Sequence, residues 1–256
     1  MVINKVLHEA RPLLEGVKIR DAVIGISLIG LELDNSNIGV TYVLREGLRA
    51  GCSIFPYGQE LIGQNAWDIA QWAVSGAEDL QRGIGMAVLT AATRSLELED
   101  ADTTHHPYGL VVNETDTIGM VGYIAPVAAQ LSEMAKEIFI FDEGISKCGG
   151  AHGLVVPVQE QEKLLPTCDI VVLSGTTFIN GSIDGLLEMC SNAREVMIMG
   201  ASTPMFPEAF RGTNVTVLAG SWWNSERKAD IFKAISLAGG IRQLSDYSIK
   251  KTVRAR

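Results

Sequence analysis

The second half of this chain repeats one phrase: a short aliphatic run, an abrupt stop in small, hydroxyl-bearing or acidic residues, then a helical pattern. The runs are Ile118 to Ile124, Ile138-Phe139-Ile140-Phe141, Ile170-Val171-Val172-Leu173, Val196-Met197-Ile198-Met199 and Val215-Thr216-Val217-Leu218. Apolar runs this short and uninterrupted suit strands buried on both faces of a parallel sheet. Their alternation with helical segments implies βαβ units, so the spacing predicts a Rossmann-like, mainly parallel sheet over residues 107–256.

In such sheets ligands bind beyond the carboxyl ends of the strands, which makes the polar turns there candidate binding residues. The richest turn follows Leu173 and carries Ser174, Thr176, Thr177, Asn180 and Ser182, with Gly175 and Gly181 to bend it. Ser182 reads as the N-cap of the next helix. Thr176, Thr177 and Asn180 are expected to bind and orient a ligand, joined by Ser202 and Thr203 in Gly200-Ala201-Ser202-Thr203-Pro204. Gly119 and Gly122 belong to the first such turn. Asp142 and Glu143 follow the second strand, about twenty positions after the glycines, where related folds hold a ribose diol; they are also the carboxylates available as a general base. These turns are expected to converge on one hollow facing the smaller lobe. Gly119-x-x-Gly122 lacks the G-x-G-x-x-G spacing and no P-loop occurs, so a tightly held pyrophosphate or triphosphate is not indicated. No G-x-S-x-G elbow supports a hydrolase triad.

The first half has a different rhythm. Ile3, Val6, Leu7, Ala10, Leu13 and Leu14 place a helix over Val2–Leu14. Two β-like stretches, Lys18 to Ile29 and Gly39 to Leu44, flank the turn Asp34-Asn35-Ser36-Asn37 and predict a hairpin. Helices follow over about Gln59 to Val74 and Asp79 to Leu96. The second contains Gly83-Ile84-Gly85-Met86-Ala87, small residues that cost helix propensity and signal the close approach of another backbone. Residues 1–100 thus form a small α+β domain, and the acidic segment 97–108 is the connector.

The formal charge of -9 disfavours nucleic acid and anionic membranes as partners. No apolar signal-peptide core opens the chain and no segment suits a bilayer span, so a cytoplasmic protein is expected. Cys52, Cys148, Cys168 and Cys190 are scattered without a C-x-x-C, which fits a reducing compartment. Cys148 and His152 lie four apart and His105-His106 sits in the connector, but two ligands do not make a closed site, so no metal site is assigned. Trp222 and Trp223 should face opposite sides of a strand, with at most one available for stacking.

Three phrases, Ile118-Gly119-Met120-Val121-Gly122-Tyr123-Ile124-Ala125-Pro126, the stretch Asp169 to Asp184, and Gly200-Ala201-Ser202-Thr203-Pro204, together resemble an uncharacterised prokaryotic family described as "putative heavy-metal chelation". The resemblance covers nearly the whole chain. It implies a domain like the N-terminal cap of enolase joined to a Rossmann-like domain of methyltransferase-like shape, with a cleft between them. Ala201 stands where the family pattern has proline, and Thr90 where it has asparagine. The function implied is binding or processing of a small polar metal-chelating compound or its precursor, pterin-, flavin- or siderophore-like. An S-adenosylmethionine- or nucleotide-dependent transferase and a direct transition-metal binder are the alternatives. No cofactor is specified, and a homodimer is the base expectation for assembly.

Overall fold

A computed structural model describes residues 1–48, 55–144 and 155–255. The chain opens with α1 (Val2–Leu14), whose apolar face, Val2, Ile3, Val6, Leu7, Ala10 and Leu14, is buried; Gly16, at φ +78°, turns the backbone out of it. Three antiparallel strands follow in the order β1 (Ile19–Ile24), β2 (Leu28–Leu33) and β3 (Ile38–Tyr42). The expected hairpin is therefore a meander. The run Lys18 to Ile29 breaks because Gly25 donates to the Leu28 carbonyl at 2.9 Å and closes a turn.

Next come α2 (Ala66–Ala70), α3 (Trp72–Ser75) and α4 (Asp79–Ala92). The small residues of α4 serve the close approach that their pattern predicts. A Cβ on Gly85 would sit 2.3 Å from the backbone nitrogen of Ala73 in α3. The same helix presses on β3, where a Cβ on Gly39 would lie 1.9 Å from the Ala87 carbonyl oxygen.

The larger domain contains β4 (Thr117–Val121), α5 (Ala125–Ser132), β5 (Glu137–Phe141), α6 (Gln161–Leu164), β6 (Ile170–Ser174), α7 (Ile183–Met189), β7 (Glu195–Met199), β8 (Val217–Trp223), α8 (Lys228–Ser236) and β9 (Ser248–Arg254). The sheet order is β5-β4-β6-β7-β8-β9, with the first five strands parallel and β9 antiparallel to β8. The chain steps from β4 outward to β5, then crosses back over β4 to β6. The direction of progression reverses there, so the crevice between the carboxyl ends of β4 and β6 is the topological switch point. No helix among the described residues is long and apolar enough to cross a membrane.

The small sheet is unusual in having both faces covered, and all six residues of β2 are buried. Ile29, Leu31 and Leu33 pack with Ile84 and Val88 of α4. Leu28, Ile38 and Val40 pack instead with Trp223, Ile231, Ile235 and Leu244 of the larger domain. Antiparallel sheets commonly leave one face to water. Here α8 occupies it, and a Cβ on Gly25 would lie 2.4 Å from the Ile235 carbonyl oxygen.

The contact between β3 and α4 gives a direct test. Gly39→Ala inserts a methyl group into backbone and should destabilise the fold by about 3 kcal/mol or more, read as a lower urea midpoint with unchanged m-value. An unchanged midpoint would mean the strand and helix do not approach as described.

Candidate functional site

The polar turns at the carboxyl ends of the strands fall into two groups, according to what faces them. The first group surrounds the switch point. β4 ends at Gly122, whose φ of +88° carries the chain away from the sheet. A Cβ at that position would meet the Ser174 Cβ at 2.7 Å, so glycine lets the first turn and the end of β6 close on each other. The Gly122 N–H donates to the Phe141 carbonyl at 2.8 Å, and the next N–H, of Tyr123, donates to Asp142 Oδ2 at 2.8 Å. Asp142 thus fastens the first turn to the second strand with one of its oxygens. Asp142 is half-buried and Glu143 exposed.

Across the crevice, the Ser174 and Thr176 hydroxyls share a hydrogen bond of 2.8 Å, and Ser174 caps the 3-10 turn Gly175–Phe178. Both residues are partly exposed. The small domain contributes Glu46, whose Oε1 lies 3.4 Å from the position a Cβ on Gly144 would take. Neither Ser174 nor Glu46 was singled out as a ligand residue from sequence. Ser174 was visible in the polar turn, whereas nothing in the Arg45-Glu46-Gly47 stretch marks it as a neighbour of the second strand.

The second group lies in the seam between the domains and is already occupied. Ser202 is 1% exposed, and its Oγ accepts the Tyr42 N–H of β3 at 3.0 Å. Thr177 is buried and donates to the Ser174 carbonyl at 2.7 Å. Gly175 backs directly onto the next turn, since a Cβ there would be 2.6 Å from the Thr203 nitrogen. Thr203 is buried, and its Oγ1 has no hydrogen-bond partner among the described residues. Arg82 closes the seam further, reaching the Ile179 carbonyl at 2.6 Å and the Gly76 carbonyl at 2.9 Å.

The single hollow expected from sequence is therefore corrected. Gly122, Asp142, Glu143 and Thr176 cluster at the switch point, while Thr177, Ser202 and Thr203 join the domains. Asn180 belongs to neither group: it is exposed, and its Oδ1 accepts from the N–H and Oγ of Ser182 at 3.1 and 2.8 Å. That contact also explains why Ser182 makes no side-chain cap to α7. Gly119 sits in the middle of β4 and is buried, where a Cβ would collide with Leu165 Cδ2 at 2.8 Å, so its small size serves packing.

Residues 108–254 match a family described as putative heavy-metal chelation, and residues 7–93 match a second family with the same description. An uncharacterized protein of Methanocaldococcus jannaschii is 29% identical over 162 residues, which cover 61% of this chain and 58% of that protein. Among solved structures, a DUF364-family protein of unknown function from Pyrococcus horikoshii superposes with a TM-score of 0.78 at 20% identity, covering 99% of this chain and all of that one. A second, from Desulfitobacterium hafniense, gives 0.76 at 19% identity over 98% of both chains. These likenesses establish the two-domain fold.

Among the described residues, no group of three or more His, Cys, Asp or Glu is placed to hold a metal ion. Cys52, Cys148 and His152 lie outside the described residues. Burial of Cys168, helped by the charges of Asp169 and Glu137, pushes its thiol up to about 11; burial pushes Cys190 up to about 12. Both are protonated at neutral pH and unsuited to bind metal as thiolates. A Cys52→Ser, Cys148→Ser variant should show no reaction with a disulfide thiol reagent at pH 8 while folded, and two thiols per chain once unfolded in urea. Rapid labelling of the folded variant would contradict this burial.

Proposed function

Taking as premise that the chain belongs to the family described as putative heavy-metal chelation, we propose that it binds, or acts on, a small polar metal-chelating compound or its precursor at the switch point of its six-stranded sheet. The observation that carries this reading is the meeting of the Ser174–Thr176 hydroxyl pair with Gly122 and the Asp142 carboxylate across the β4/β6 crevice. Open α/β sheets take their ligands in this crevice.

The chemistry suits a ligand rich in hydroxyl or amide groups. Ser174 and Thr176 can each donate and accept, and the exposed Glu143 carboxylate can accept hydrogen bonds from hydroxyls of the kind found on catechols and pterins. Asp142 holds the turn and presents its charge from the same wall. Glu46, Asp142 and Glu143 place carboxylates on this rim, which suits a ligand carrying hydroxyl or amide donors. A free small molecule rather than nucleic acid is thus the fitting partner, in keeping with the net charge of -9. A cytoplasmic setting and a homodimer remain part of the proposal.

A nucleoside-bearing ligand such as S-adenosylmethionine is the second reading, favoured by the position of Asp142 at the end of β5. Against it stands the Tyr123 N–H, which takes up one Asp142 oxygen that a ribose diol would use.

Isothermal titration with 2,3-dihydroxybenzoate, a pterin and S-adenosylmethionine separates these readings. A catechol or pterin should bind, and a Ser174→Ala, Thr176→Ala variant should weaken it about tenfold or more, while Asn180→Ala leaves it unchanged. Equal affinity in the double variant, or tight binding of S-adenosylmethionine alone, would overturn the proposal.

A further inference from the structure

We propose that Asp79 and Arg82, in the opening turn of α4, are the positioning residues of the switch point: a single ion pair of the small domain holds both of its walls in place. The role rests on the switch point being the binding site, as proposed above, and neither side chain is assigned a contact with the ligand.

Arg82 has three partners. Its Nε donates to the Ile179 carbonyl at 2.6 Å, its Nη1 to the Gly76 carbonyl at 2.9 Å, and its Nη2 pairs with Asp79 Oδ1. Gly76 and Asp79 flank the start of α4 and aim the planar guanidinium; Ile179, in the larger domain, receives it. Ile179 also closes the turn that carries the hydroxyl pair. Its N–H and that of Asn180 both donate to the Thr176 carbonyl, at 2.9 and 3.2 Å. The neighbouring Gly83 brings α4 against the same residue, since a Cβ there would lie 3.9 Å from Ile179 Cδ1. The turn after β6 is therefore tied at its far end to the other domain.

Asp79 reaches the opposite wall. A Cβ on Gly47 would lie 2.5 Å from Asp79 Oδ2, so the 3-10 turn Arg45–Gly47 runs directly against this carboxylate. Glu46, in the middle of that turn, has its Oε1 3.4 Å from the Cβ position of Gly144, and Asp142 Oδ1 lies 3.5 Å from the same point. Through backbone on either side, the ion pair joins the Thr176 turn to the end of β5. The Arg82 and Asp79 side chains are only 24% and 20% exposed. Removing one partner from so sheltered a pair leaves the other uncompensated and frees the Ile179 carbonyl. Lysine is no substitute, because an ammonium lacks the planar fork that faces three acceptors at once.

Amide hydrogen exchange in the full-length protein tests this without any ligand. In Arg82→Gln the Ile179 and Asn180 amides should exchange about tenfold faster or more, while those of Val196 to Met199 in β7 change by less than about twofold. Isothermal titration with 2,3-dihydroxybenzoate should show about a tenfold loss of affinity in Arg82→Gln and a comparable loss in Arg82→Lys, which keeps the charge. Unchanged exchange at Ile179 and Asn180, faster exchange spread equally over β7, or wild-type exchange and affinity in Arg82→Lys would overturn the proposal. Absence of binding by the unsubstituted protein would count against the ligand reading instead, and the exchange rates would still decide the role of Arg82.

Discussion

The structure depends on how the second face of the small antiparallel sheet is buried. Leu28, Ile38 and Val40 cannot be left in water, and the chain covers them with Trp223, Ile231 and Ile235 from the far end of its sequence. Each such side chain contributes about 1.5–3 kcal/mol when fully buried, so the join is a core rather than a contact between finished domains. Polar groups at its margins fix the register. Lys228 of α8 pairs with both Asp21 and Glu32 on the sheet; the Asp21 hydrogen bond leads in raising its pKa, which keeps it charged. At another margin Trp222 donates to Thr93 Oγ1 at 3.1 Å and is flanked by Arg94 and Lys251, 4.9 and 5.0 Å from its ring centre.

This join decides which polar turns are buried between the domains. The turn after β7 is held against β3, with Ser202 spent on the Tyr42 N–H, and Gly175 wedges the turn after β6 behind it. Nearer the other edge of the sheet Gly122, Asp142, Ser174 and Thr176 meet at the ends of the strands, and Ser174 and Thr176 there keep partial exposure. Hydroxyls alike in sequence thus have different roles, and the partner across each turn sets the difference.

Much of this was legible beforehand, and the misses share a cause. Parallel strands announce themselves as aliphatic runs, and all five were found within a few residues. β9 was not anticipated, because an edge strand reading Ser-Ile-Lys-Lys-Thr-Val-Arg protects itself with charge and carries no apolar run. The break at Gly25, closed by its N–H to the Leu28 carbonyl, has little local signature, because the residues on either side, Ala22-Val23-Ile24 and Ile26-Ser27-Leu28-Ile29, are almost all aliphatic. The glycines of α4 did reveal a close approach, since small residues in a helix have few other uses. Trp222 and Trp223 do pack on opposite sides, one with Thr93 and one with Leu28 and Val40, as strand alternation requires. The turn hydroxyls could not be sorted by environment, because the buried Ser202 that bonds a neighbouring strand and the half-buried Ser174 stand in similar local sequence.

Scanning calorimetry tests the shared core most directly. If α8 and β2 form one hydrophobic body, the protein should unfold in a single transition whose van't Hoff and calorimetric enthalpies agree. Two resolved transitions, with the small domain melting apart from the larger, would contradict that account and reopen the seam as a place for a ligand.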